Sequence, residues 1–182
     1  LVQDEAYMTA LRDAPPERVA EETDLLQLSL DGVEQSKESA LCLRINALFY
    51  ILDRDYSSAL DVLEQARKLV LDRKVSLGAT LVAAQRELSV HLAVCYTHVY
   101  PPKHHKVALE LANQVLRQEP YQIDAVLARS YIDAQRGMWT EALQGFRQVM
   151  AQPLATGVVH GRCLSALYLS PDHHLEAEAE AA

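Results

Sequence analysis

The sequence predicts an all-α fold, a superhelical solenoid of antiparallel helix pairs, and three observations carry that expectation. Ala108-Leu109-x-x-Ala112-x-x-Val115 recurs 34 residues later as Ala142-Leu143-x-x-Phe146-x-x-Val149. An upstream copy reads Ala59-Leu60-x-x-Leu63-x-x-Ala66. Composition points the same way: 49% of the 182 residues are hydrophobic, yet aromatics make only 6% and glycines number 6. That balance suits helices packed through alanine and leucine better than a β-sandwich.

A period of 34 residues with small and bulky side chains at these places is the signature of tetratricopeptide (TPR) helix pairs. Such a pair cannot bury its apolar face alone and must stack on neighbours. The expected organisation is a helical hairpin or degenerate repeat over 1–33 and three TPR-like repeats with an elongated middle unit over 34–152. A weak helix and a frayed acidic tail complete it over 153–182.

In the opening segment, 2–12 forms a short helix stopped by Ala14-Pro15-Pro16. Pro16 suits a first helical turn, and Glu17, Glu21 and Glu22 lie where the helix dipole favours acids. This second helix carries Val19, Leu26 and Leu30 and ends near Asp31-Gly32. The first full repeat then runs from about Glu34 to Asp72. Leu43, Ala47 and Tyr50 take the bulky, small and aromatic positions of its first helix. Ala47 and Ala59 are expected to face each other where the two helices cross, leaving no room for larger side chains. Asp53-Arg54-Asp55 makes the turn, and Asp55 can cap the second helix.

From Ala59 to Ala108 is 49 residues, one period plus 15. The excess has two sources: the second helix continues through Leu69, Val70 and Leu71, and the next helix starts early, near Ser76. Leu77, Leu81, Ala84, Leu88, Leu92, Cys95 and Val99 place one long helix over about 76–99. Tyr100-Pro101-Pro102 stops it, and Lys103-His104-His105-Lys106 leads into its partner. In the third repeat Pro120 ends the preceding helix, Leu127 and Tyr131 lie one turn apart, and Gly137 makes the turn. Trp139 precedes Ala142, and Arg129 and Ser130 make the first helix less regular. Val158 to Leu169 reads as a further helix, before a Glu-Ala alternation at the end.

The formal charge of −8 argues against general affinity for a phosphate backbone. Basic pairs at Arg67-Lys68, Arg73-Lys74 and Lys103 to Lys106 lack interleaved aromatics and read as solvated helix ends. No run of 18 apolar residues is present to span a membrane. Cys42, Cys95 and Cys163 are scattered and odd in number, as expected of reduced, buried thiols in a cytosolic protein. The chain begins at Leu1, so it is expected to be a piece of something longer.

Catalytic signatures are missing: there is no Gly-x-Ser-x-Gly, no phosphate-cradling glycine loop and no His-Glu-x-x-His. Asp53 with Asp55, and Asp172 with His173, read as turn and cap residues. His91, Cys95 and His98 lie at helical spacing and would suit zinc. Compact ligand spacing is missing, however, so Cys95 is placed in the interhelical seam and the histidines on the surface, with no metal or cofactor expected. His173-His174 is a still weaker pair.

What remains is a surface for proteins. The positions facing the groove of the solenoid are Arg44 then Leu48, Val90 then Ala93, and Asp124 then Leu127. Arg44 alone has the chemistry of a co-chaperone carboxylate clamp, and Asp124 would repel a terminal anion. The groove residues expected to bind a partner are therefore Arg44, Leu48, Asp124, Leu127 and Tyr131, receiving a helix or extended peptide of another subunit.

Four stretches also resemble one TPR family. Asp55-Tyr56-Ser57-Ser58-Ala59-Leu60 resembles the start of an unusually long second helix. His91-Leu92-Ala93-Val94-Cys95-Tyr96 resembles the end of the long helix that follows. Pro102-Lys103-His104-His105-Lys106-Val107-Ala108-Leu109 is similar to a Pro-Lys-Asn-His-Pro-Lys-Ala-Leu linker, departing at His104 and Lys106. Gln118-Glu119-Pro120 and Trp139-Thr140-Glu141-Ala142 match the repeat beyond it. The family is the TPR scaffold subunit of the superkiller complex, and the resemblance spans about 50–150. It implies a non-catalytic cytoplasmic scaffold that holds an RNA helicase and WD40-propeller proteins and assists 3′-to-5′ messenger RNA decay by the exosome. It carries over no site residues. The alternatives are an unrelated TPR adaptor or co-chaperone-like module and, more distantly, a metal-binding regulator.

Overall fold

The computed structural model describes residues 27–168 except 37, 73, 154 and 156, with backbone alone at 74–81, 158, 167 and 168. The expectations for 2–12, for Pro15-Pro16, Val19 and Leu26, for His173-His174 and for the Glu-Ala tail lie outside the described residues. Residues 27–35 are helical, so this helix passes Asp31-Gly32, where the sequence suggested a stop. Seven helices follow: α1 (Ala40–Leu52), α2 (Tyr56–Asp72), α3 (Lys74–His98), α4 (His105–Leu116), α5 (Ile123–Gln135), α6 (Trp139–Met150) and α7 (Gly157–Tyr168). No strand occurs among the described residues.

Each helix packs on the next in sequence, and α3 also reaches α5, so antiparallel pairs stack into a TPR-like solenoid. Helix ends follow local chemistry. The Ser39 hydroxyl accepts from the Cys42 N–H and starts α1 at Ala40, several residues after Glu34. Asp55 Oδ1 accepts from the Ser58 N–H at 3.1 Å at the head of α2. Gln122 Oε1 does the same for the Ala125 N–H at 2.6 Å, a cap the sequence did not advertise. Gly137 turns α5 into α6 at a φ of 78°, where a side chain is costly. α4 ends at Leu116, ahead of Pro120.

The register alanines lie in the core. Ala47, Ala59, Ala108 and Ala142 are all fully buried, Ala47 and Ala59 within the same apolar cluster. That cluster runs from Leu43 through Leu63, Leu92 and Val115 to Ala128. A second one gathers Val126, Phe146, Val149, Val159 and Cys163 around α5, α6 and α7. α3 is continuous for 25 residues, about seven turns. Its length lets one helix touch α2, α4 and α5. Ion pairs and hydrogen bonds tie it down: Arg44–Glu87 at 3.6 Å to α1 and Arg86–Glu119 at 3.0 Å to the α4–α5 loop. The Tyr96 hydroxyl donates to Glu64 of α2 at 2.9 Å.

Candidate functional site

Side chains of α1 and the turn after it, α2, α3, α5 and α7 surround a cavity of about 320 Å³. Its floor and walls come from the end of α1 and its turn (Ile51, Arg54), the head of α2 (Tyr56) and the last turns of α3 (Val94, His98). The opposite side is α5 (Asp124, Leu127, Ala128, Tyr131), and Arg162 of α7 closes it. Four rings form a run through it. Tyr56 stacks on His98 at 4.4 Å between centroids, His98 lies 6.0 Å from Tyr131, and Tyr131 meets Phe146 edge-on at 5.4 Å. The Tyr131 hydroxyl also donates to the Arg162 carbonyl at 3.4 Å.

The electrostatics of this cavity follow from its walls. Burial of the His98 ring, then the charges of Arg162 and Arg54, hold its pKa below the usual value, so the imidazole is neutral near pH 7. Two guanidinium groups and one carboxylate, Asp124, therefore line a largely apolar hollow. Arg54 is presented from an αL residue with a φ of 60°, fixed by its N–H on the Ile51 carbonyl at 3.0 Å.

The structure brings together three of the five groove residues expected from the sequence: Asp124, Leu127 and Tyr131. Arg44 and Leu48 do not line the cavity; Arg44 is turned to Glu87. Val90 and Ala93, also expected to face the groove, are buried in the core, and the half-buried Val94 lines the cavity from α3 instead. The reason is that α3 packs against α2, α4 and α5 at once, which leaves only a narrow arc of its surface uncovered. Arg54, Tyr56 and Arg162 were not expected at the site, and His98 was considered only as a metal ligand. Arg54, Tyr56 and His98 sit at helix ends or in the turn between helices, where helical periodicity gives no signal.

The histidine–cysteine constellation separates in space. Cys95 is sealed in the core, and burial pushes its thiol up to about 12. His91 lies against Arg44, with burial and then that charge lowering its pKa to about 4. His98 is committed to Tyr56. Among the described residues no three His, Cys, Asp or Glu side chains form a group that could hold a metal ion. Nor is any described helix long and apolar enough to cross a membrane.

An all-α stack of antiparallel helix pairs belongs to the class of TPR-like helical solenoids. No family model matches the chain. It is 30% identical over 122 residues to Superkiller protein 3 of Saccharomyces cerevisiae (strain ATCC 204508 / S288c). That match covers 67% of this chain and 8% of the relative, so the chain spans a small part of the curated protein it matches. The similarity supports a relation to that family.

Proposed function

We propose that this chain is part of a non-catalytic scaffold of the superkiller type. The observation that carries the reading is the 30% identity to Superkiller protein 3, on a solenoid of helix pairs with a cavity lined in part by Asp124, Leu127 and Tyr131. In this reading 34–152 holds three TPR-like repeats with an elongated middle unit, and Asp124, Leu127 and Tyr131 contribute one wall of a partner site. Arg44 and Leu48 extend the same face along α1. The parent protein acts in the cytoplasm, holds an RNA helicase and WD40-propeller proteins, and supports exosome-mediated 3′-to-5′ decay of messenger RNA. It needs no cofactor and performs no turnover.

The test is affinity purification of the full-length parent, followed by identification of what comes with it. A helicase and a WD40 propeller in constant ratio to the bait is the expected result. Repeated purification without either, with chaperones or membrane-traffic subunits instead, would overturn the superkiller assignment and favour an unrelated TPR adaptor.

A further inference from the structure

We infer that the acidic segment 172–180 docks back on its own chain, against Lys103 and Lys106 in the turn between α3 and α4 and the head of α4. The contact is separate from the cavity and does not depend on the scaffold reading.

In a stack of antiparallel pairs the odd-numbered helices run in one direction, so their C-terminal ends share an edge. His98 near the end of α3 stacks on Tyr56 at the head of α2. His105 at the head of α4 is within reach of the Arg136 charge just past α5. The turns after α1, α3 and α5 therefore lie on one edge, and α7 ends on it at Tyr168.

The three turns differ in charge. In the first, Asp53 and Asp55 outnumber Arg54. Beside the third, Arg129 and Arg136 both act on Asp133, with Glu141 near it, so the charges balance. The second has Lys103 and Lys106, both exposed, and no acid anywhere in 99–109. Neither ammonium group is in an ion pair among the described residues, even with Glu110 one turn along α4. No acid lies in the first turn of α4 and no side chain caps it, so the helix dipole adds to the positive potential.

The segment that follows α7 has the opposite character. Residues 169–182 lie outside the described ones, and their sequence holds Asp172, Glu176, Glu178 and Glu180 with no basic residue. Complementary charge favours their meeting the lysines, and attachment to α7 keeps their effective concentration high. Packed helix axes lie about 8–10 Å apart, so α3 stands roughly 20 Å from α7 across α5, which touches both. The eight residues 169–176 span up to about 26 Å when extended, enough to bring Glu176 to the lysines. Tyr100 and Val107, exposed beside the lysines, give Leu175 and the alanines apolar surface to cover. Residues 1–26 are acidic as well, but Arg12 and Arg18 interrupt them. A nucleic-acid strand would need a basic track, and the turns on either side of the lysines lack net positive charge.

Carbodiimide cross-linking, which joins a carboxylate to an amine in contact with it, tests the assignment on the full chain. Mass spectrometry should find Lys103 or Lys106 joined to Glu176, Glu178 or Glu180. Mixing isotope-labelled with unlabelled chains should show these links to lie within one copy. Raising the salt from about 0.05 M to about 0.5 M should cut their yield severalfold, because the contact is exposed. Glu176→Gln, Glu178→Gln and Glu180→Gln together should speed acylation of Lys103 and Lys106 about threefold or more, at an unchanged melting temperature. Lysines joined only to acids of 1–26, or of a second copy, overturn the assignment. So does lysine reactivity that the triple variant leaves unchanged.

Discussion

Gly145 of α6 passes over Ser130 of α5 so closely that a β-carbon at 145 would overlap the Ser130 hydroxyl and lie 3.2 Å from its β-carbon. Ser130 is buried, and its hydroxyl donates to the Val126 carbonyl at 2.8 Å. The less regular first helix of the third repeat thus has a purpose: a small serine opposite a glycine allows the crossing. Gly145→Ala should lower stability by about 1–3 kcal/mol from over-packing, less the roughly 1 kcal/mol that alanine gains in a helix. Ser130→Ala in that background should restore most of the loss. Equal melting temperatures for wild type and Gly145→Ala would show the crossing to be looser than described.

Gly137 poses the opposite case, because no atom lies within 4 Å of where its β-carbon would be. Only its φ of 78° resists substitution. Gly137→Ala should cost about 1–2 kcal/mol through the backbone alone. Thermal denaturation checks this, and no compensating second-site deletion should rescue it.

Ala142 is fully buried and packs with Val126, Phe146 and Val149. Ala142→Leu should destabilise by about 1–3 kcal/mol, an over-packing cost. Urea denaturation measures it. A shift within error would count against the close helix approach at this position.

Protonation of His91 should make the fold acid-sensitive. Its pKa is about 4 in the folded chain, against a usual 6.5, through burial and then the Arg44 charge. Between those values the unfolded chain binds more protons, so stability present above pH 6.5 is lost as the pH falls towards 4. His98 and His105 are lowered as well, chiefly by burial, and act in the same direction. The Nδ1 atom of His91 is buried without a hydrogen-bond partner. His91→Leu should therefore flatten the fall in melting temperature across this window. An unaltered pH profile in that variant would remove His91 as a cause.

Much of the architecture was legible in the chain because it depends on local periodicity. Ala59, Ala108 and Ala142, singled out by their period, are all fully buried, as small side chains between close-packed helices should be. Gly137 marks a turn because its backbone conformation is intrinsic to the residue. The long α3 was readable from Leu88, Leu92, Cys95 and Val99, whose helical spacing needs no knowledge of partners. The start of α1 was harder to place, since helical residues 27–35 precede it without a proline, and its boundary rests on the Ser39 cap.

The cavity is another matter. Asp124, Leu127 and Tyr131 were within reach because they recur on one face of one helix. Arg54 and Arg162 are 108 positions apart in the sequence, and both lie close enough to act on His98. No periodicity relates a turn residue of the first pair to a residue of α7. Val90 and Ala93 have the spacing of groove residues, yet they are buried, because the neighbours packed on α3 decide which arc of it faces outwards. Helical periodicity is a property of each segment, and so the sequence by itself determined the class of fold, the buried register alanines and the turn at Gly137. Which side chains share a hollow depends on the rotation of each helix about its axis and its stacking on the next. Those are set by packing between segments distant in sequence, and only the tertiary structure decided them.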